Sequence, residues 1–232
     1  AGLLREERAA GDVAVQGVSQ DSRSTRPGDL FLAWAGTAAD AHDFVSDAVR
    51  QGAVATVVER PLEVHVPQLV VSDGRRAAAL AADVVMGSPS KALRTLAVTG
   101  TNGKTTTAIL IRHLMAPDMP TAFIGTLRLI ARAGVRPRSA MAWAAGREKL
   151  TRPGPVQVAV WLRELADAGM SAVVFEASSH ALAQHRLDAL RFEVVVFTNL
   201  SQDHLDYHAD LAEYFAAKAR LVDLTGEGGT VV

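Results

Sequence analysis

Residues 98–107 read Val-Thr-Gly-Thr-Asn-Gly-Lys-Thr-Thr-Thr. An apolar run over residues 93–99 leads into them, and a helical pattern over 105–114 follows. In a strand–glycine loop–helix arrangement, backbone N–H groups converge on phosphate oxygens, and the helix N-terminus adds favourable partial charge. Lys104 would reach the β- and γ-phosphates of a nucleotide, and the Thr105 hydroxyl would coordinate Mg²⁺. Gly100, Thr101, Asn102, Gly103 and Thr106 complete a loop able to cradle ATP. The strict phosphate-loop pattern has a glycine five residues before its second glycine. Val98 stands at that position, so this loop is a shorter variant.

More chemistry lies downstream. Glu176 ends an apolar run over residues 171–175, at the kind of strand end where ligands of open α/β sheets collect. The block Glu176-Ala177-Ser178-Ser179-His180-Ala181-Leu182 is followed by Gln184 and Arg186. An arginine there can clamp a carboxylate or phosphate with two parallel hydrogen bonds. His180 and His185 carry no assignment, because ordinary helix-surface positions account for them equally. A third block, Phe197-Thr198-Asn199-Leu200-Ser201-Gln202-Asp203-His204-Leu205-Asp206-Tyr207-His208, follows the run 192–197. Asn199 is expected to face the nucleotide site. Near the start, Ser22 lies in Asp21-Ser22-Arg23, where Arg23 has a structural role in the turn.

The elements that must position these residues fall into two halves. Residues 1–88 hold short apolar runs at 30–34, 54–58 and 69–71, a helix at 43–51 and an alanine-rich helix at 75–86. This is a small α/β unit. Gly87-Ser88-Pro89-Ser90 is helix-ending chemistry and marks the boundary. Residues 89–232 alternate strands (93–99, 122–125, 171–175, 192–197) with helices (105–114, 156–168, 210–224). Strands that are apolar throughout predict a mostly parallel sheet covered on both faces. Asp210-Leu211-Ala212-Glu213 resembles a capping box with Asp as the cap. Residues 128–152 are basic, Ala/Gly-rich and without period, and read as a long loop. The apolar residues along 214–224 are read as core.

Composition narrows the function classes. The chain has 232 residues, with 24 Lys plus Arg against 25 Asp plus Glu. That balance gives no electrostatic reason for a nucleic-acid partner. An anionic substrate must be held by a local positive site. Cysteine is absent, which excludes disulfides, cysteine metal sites and a cysteine nucleophile. No apolar run reaches the roughly 18–20 residues that span a bilayer. The first eight residues, Ala1 to Arg8, carry mixed charge and do not form a secretory signal. The expectation is a cytoplasmic monomer with no membrane partner.

Residues 99–106 are similar to the ATP loop of the Mur ligases and their folylpolyglutamate synthetase relatives. Asp21-Ser22-Arg23 followed by Pro27-Gly28-Asp29-Leu30-Phe31 resembles the N-terminal signature of members that add the third peptide residue (MurE type) or the terminal dipeptide (MurF type). The blocks at 176–186 and 197–208 look like the MurE type. The resemblance implies that ATP phosphorylates the D-glutamate carboxylate of UDP-N-acetylmuramoyl-L-Ala-D-Glu. The amine of an amino acid, diaminopimelate or lysine, then attacks the acyl phosphate. It further implies Mg²⁺ at Glu176 and His204, the muramoyl peptide at Thr151, Ser178, Gln184 and Arg186, and the uridine nucleotide at Ser22. Lys218, four residues after Tyr214, is the position at which the family carries a carbamylated lysine.

Three departures stand out. The family's Thr-Thr-Pro reads Thr151-Arg152-Pro153, and its Asp-Gly-His reads Asp40-Ala41-His42. Losing that glycine puts the turn geometry in question. The family's third domain, which carries the incoming amino acid, has no counterpart in these residues. The expectation is therefore a fragment or truncated homologue that does not complete ligation alone. The rival readings are a MurF-type member and a non-catalytic nucleotide- or precursor-binding module.

Overall fold

The structure, a computed structural model, describes residues 2–8, 11–36, 39–125, 129–131, 153–201 and 207–232. It divides into two compact units, Ala1–Gly87 and Ser88–Val232.

In the first unit, β-branched and leucine-rich runs form β3 (Asp29–Leu32), β4 (Ala55–Val58) and β5 (Gln68–Val71). Two further strands are β1 (Leu4–Arg8) and β2 (Gly17–Ser19). The sheet order is β1-β5-β4-β3-β2, parallel except for β1 against β5. Helix α1 (Val45–Gln51) buries Val45 and Ala48 in a cluster with Phe31, Val58 and Val70. Helix α2 (Gly74–Val85) buries Ala77, Ala78, Ala79 and Ala82. The sequence reading missed β1 because Leu-Arg-Glu-Glu-Arg has no apolar alternation. Backbone pairing places it, and charge on an edge strand discourages unwanted pairing.

The alanine in Asp40-Ala41-His42 does not spoil its turn. Residues Ala41–Phe44 form a 3-10 turn in which the Asp40 carboxylate accepts the His42 N–H, and Ala41 is not among the residues with positive φ. His42 Nδ1 donates to Asp40, and His42 Nε2 accepts the Glu59 N–H at 2.8 Å, which fixes the tautomer of this buried ring. Hydrogen bonds from His42 and Arg60 hold the Asp40 carboxyl well below the usual carboxylate range.

The second unit carries β6 (Arg94–Thr99), β7 (Thr121–Ile124), β8 (Leu129–Ile130), β9 (Ala172–Glu176), β10 (Phe192–Phe197) and β11 (Thr225–Val231). Its order is β11-β10-β6-β9-β7-β8, parallel except for β8 against β7. Its helices are α3 (Lys104–Met115), α4 (Pro155–Asp167), α5 (Ser179–Ala183) and α6 (Leu211–Asp223). Side chains alternate across the sheet with period two. Leu96, Val98, Phe123 and Val174 pack with Ala108 of α3 on one face. Ala97, Ile124, Val173, Phe175, Phe192 and Val195 pack on the other with Trp161 and Leu165 of α4 and Leu221 of α6. Both faces are covered, as the apolar strands predict. Each fully buried Leu or Phe contributes roughly 1.5–3 kcal/mol.

Two details differ from the sequence reading. Leu129–Ile130 forms β8, so the start of the expected 128–152 loop belongs to the sheet; residues 132–152 lie outside the described residues. Thr225–Val231 forms a further strand, β11, immediately after α6. Among the described residues, no helix is long and apolar enough to cross a membrane.

Candidate functional site

Strand β6 is central, with β9 on one side and β10 on the other, all parallel. Val98 pairs with Glu176 and Thr99 with Phe197, so three strands deliver their carboxyl ends to one place. The 100–103 turn leaves β6 there and enters α3. Gly103 is the helix N-cap at φ +80°, and no side chain caps the helix. By contrast, Asp73, Ser178 and Asp210 each cap their own helices with a side-chain oxygen. The first-turn amides of α3 lack intrahelical acceptors and keep their anion-binding capacity. Gly100 sits at φ +143°, where a Cβ would come within 2.0 Å of Thr198 Oγ1.

The predicted loop residues do not all face outward. Thr101 is buried; its N–H donates to the Asn199 carbonyl at 3.0 Å. Its Oγ1 donates to the Ser201 carbonyl at 3.0 Å and accepts the Ser201 N–H at 2.9 Å. Tyr214 Oη, from α6, lies 3.3 Å from the same oxygen. The Asn102 N–H donates to Asn199 Oδ1 at 3.0 Å. Lys104 folds across the turn, its Nζ donating to the Thr101 carbonyl at 2.7 Å. Thr106 is exposed on the first turn of α3.

Thr105 Oγ1 donates to Glu176 Oε2 at 2.8 Å. A hydroxyl beside a carboxylate gives two hard oxygens, the donor type Mg²⁺ prefers. Among the described residues, no group of three or more His, Asp or Glu gathers to hold a metal. A divalent ion here would be completed by phosphate oxygens and water, as Mg²⁺ commonly is. His204 and Thr151 lie outside the described residues.

Lys218 is 2% exposed. Its Nζ donates to the Gly100 carbonyl at 2.7 Å and lies 4.4 Å from the Tyr214 ring centroid. It therefore meets the turn between β6 and α3 at its first residue, Gly100.

Beside Glu176 a small cavity is lined by Ile124, Gly125, Pro153, Ser178, Arg186 and Leu187, among others. Ser178 Oγ accepts the Ala181 N–H at 3.2 Å and so caps α5. Arg186 donates to Gln184 Oε1 through Nε (3.1 Å) and Nη2, and to the Pro153 carbonyl at 3.3 Å through Nη1. Gln184 Nε2 donates to Tyr207 Oη at 3.2 Å. These contacts hold the guanidinium at the cavity wall. Ser22 belongs to the first unit, half-buried in the 3-10 turn Ser22–Ser24 just past β2, with Asp21 bound to Arg23.

Some site-adjacent residues were missed from sequence. His180 is not a surface residue: it is buried against Tyr207, with ring centroids 4.1 Å apart. His185 is half-buried and bonds Asp188 Oδ2 at 2.8 Å, while Arg220 donates to both Asp188 oxygens at 3.1 Å. Burial pushes the Asp188 carboxyl up, but His185 and Arg220 outweigh it and hold it below the usual range. Thr198 donates to the Asn102 carbonyl at 2.6 Å. Gly125 has no space for a side chain, since a Cβ would meet the Phe123 ring at 2.5 Å and Glu176 Oε2 at 3.0 Å. Apart from the local His185–Asp188 pair, nothing in the sequence signals these contacts, because they join residues from separate elements or depend on backbone direction.

Comparison with known proteins matches residues 98–232 to a model described as the Mur ligase middle domain, and residues 14–100 to one described as the Mur ligase family, catalytic domain. A curated UDP-N-acetylmuramoyl-L-alanyl-D-glutamate–2,6-diaminopimelate ligase of Xanthomonas campestris pv. campestris is 43% identical over 99% of this chain and 46% of its own length. The ligase of the same name from Aquifex aeolicus is 43% identical over 89% of this chain and 41% of its own. The chain thus spans less than half the length of these relatives. A solved structure of a ligase of that name aligns with a TM-score of 0.73 at 33% identity, covering 89% of this chain and 40% of that one. Acinetobacter baumannii MurF shares the fold, with a TM-score of 0.61 at 24% identity over 94% of this chain and 43% of that one.

Proposed function

Because the chain belongs to the Mur ligase family, we propose that it serves an ATP-dependent amide ligation extending UDP-N-acetylmuramoyl-L-Ala-D-Glu by a diamino acid, meso-diaminopimelate or L-lysine. The observation that carries this reading is the uncapped N-terminus of α3 beside Lys104, with Thr105 hydrogen-bonded to Glu176. In this reading the γ-phosphoryl group passes to the D-glutamate carboxylate and ADP leaves. The amine then attacks the acyl carbon, loses a proton and displaces phosphate.

Each side chain has a task in that sequence. Lys104 leaves the Thr101 carbonyl and neutralises phosphate charge. Thr105 and Glu176 would hold Mg²⁺, which would supply charge neutralisation at the transferring phosphoryl group; His204 is a further candidate ligand. Ser178, Gln184 and Arg186, with Thr151, hold the muramoyl peptide near Glu176, and Ser22 holds its uridine nucleotide. The preformed guanidinium of Arg186 favours a carboxylate, and orientation at this step is worth several kcal/mol. Relatives that carry the diaminopimelate ligase name support the MurE type over the MurF type. The charged, phosphorylated substrates of this reading support a cytoplasmic location for the reaction.

Lys218 is proposed as the carbamylated lysine. Its burial at the loop supports this, since a charge change there acts directly on the phosphate turn. As an ammonium it donates to Gly100. A carbamate is an anion with a single N–H, so modification replaces that charge-assisted bond by at most a neutral N–H donation and adds a carboxylate beside the turn. Mass spectrometry in bicarbonate checks for the added CO₂.

Calorimetric titration with ATP–Mg²⁺ and with UDP-muramoyl-dipeptide tests the whole reading, with Lys104→Ala as control. Wild-type binding is expected, with loss of ATP affinity on substitution. ATP affinity no better than that of the variant overturns it.

A further inference from the structure

Thr198 and Asn199, the first residues after β10, close around the backbone of Asn102. Asn199 Oδ1 accepts the Asn102 N–H at 3.0 Å, and Asn199 Nδ2 donates to the Asn102 carbonyl at 3.1 Å. A carboxamide offers an acceptor and a donor in one plane. It thus pairs with both backbone groups of one residue, as the facing residue of an antiparallel strand does. The Asn199 backbone carbonyl accepts the Thr101 N–H at 3.0 Å, and Thr198 Oγ1 adds a second donor to the Asn102 carbonyl at 2.6 Å.

This pairing decides which amides can serve an anion. The N–H groups of Thr101 and Asn102 are both committed to Asn199. Those able to converge on phosphate begin at Gly103, on the uncapped turn of α3. The turn also contains two glycines at positive φ, Gly100 and Gly103. Glycine gives such a turn its shape but also many alternatives to it. A loop that must be ordered by its ligand binds it more weakly than one already in shape.

We propose that Asn199 is a positioning residue: it holds the phosphate turn in its binding shape through Asn102 and does not touch the nucleotide. The inference rests on reading residues 100–105 as the ATP loop, and it reassigns Asn199 from the nucleotide contact expected from sequence.

The test uses Asn199→Ala in the 232-residue chain, with Lys104→Ala as control. Three quantities are measured: amide hydrogen exchange at Asn102, ATP affinity, and affinity for inorganic tripolyphosphate. The expected result is at least tenfold faster exchange at Asn102, with unchanged protection in β6 and β10. ATP and tripolyphosphate should both weaken on the order of tenfold, the worth of one or two hydrogen bonds. Unchanged exchange at Asn102 overturns the proposal. So does weakened ATP binding with tripolyphosphate unaffected, because Asn199 would then contact the nucleoside itself. If the alanine variant unfolds, the same measurements are read on Asn199→Gln, whose longer side chain keeps the amide but loses the in-plane fit. If wild-type binds neither ligand, the ATP-loop reading falls by itself. Exchange at Asn102 then decides the pairing: fast in the variant and slow in wild-type upholds it, and equal rates overturn it.

Discussion

Thr105 Oγ1 and Glu176 Oε2 lie 2.8 Å apart although 71 residues separate them in the chain. Their meeting follows from parallel register: Val98 pairs with Glu176, and the turn after β6 brings Thr105 back over the end of β9.

If this pair holds Mg²⁺, Glu176→Ala should weaken ATP binding by roughly tenfold or more in Mg²⁺ and hardly at all in EDTA. Thr105→Ser should keep most of the affinity and Thr105→Val should lose it. Titrations with and without the metal check this. Equal losses in both conditions would remove the metal from the account.

Gly100→Ala should destabilise the second unit by about 1–3 kcal/mol, from positive-φ strain and the clash with Thr198 Oγ1. Adding Thr198→Ala should recover only part of the loss, because the backbone strain stays. Thermal melts of the single and double variants separate the two contributions.

Lys218→Met keeps an unbranched stem but removes the donor to Gly100. A buried carbonyl left without its partner costs roughly 1–3 kcal/mol. The variant should melt earlier and also bind ATP more weakly, since the turn it braces is the one that faces phosphate. A variant with wild-type melting would show that another donor satisfies Gly100.

Asp188 makes stability depend on pH. Its folded pKa is depressed, so it stabilises the fold above the ordinary carboxylate value of about 4. That contribution fades as pH falls through the lower folded value. Asp188→Asn should lose about 1–3 kcal/mol near neutrality and flatten the acid limb of the denaturation curve. Urea melts between about pH 3 and pH 7 measure both.

Much of this was readable from residue order. Gly-Lys-Thr after an apolar strand marks the turn from β6 into α3, and runs nearly bare of charge mark buried parallel strands. What stayed hidden depends on partners distant in sequence or on backbone direction. Leu4–Arg8 becomes a strand only because β5 offers it an edge. Thr101 has the look of a ligand contact, yet Ser201 and Tyr214 claim its hydroxyl. His180 sits in a helix of five residues, too short to show periodicity, so its burial could not be foreseen. Ala41 looked unfit for a turn, but the Asp40 carboxylate closes it without a left-handed residue.

The pairing of β6 with β9 works like the teeth of a vernier. One residue gained or lost inside β9 would turn the Glu176 side chain to the opposite face of the sheet, leaving Thr105 without its neighbour. The register tolerates other hydrophobic side chains at the four apolar positions of β9 but not a change in its length. Indels should therefore accumulate in the outer loops of relatives and spare this strand.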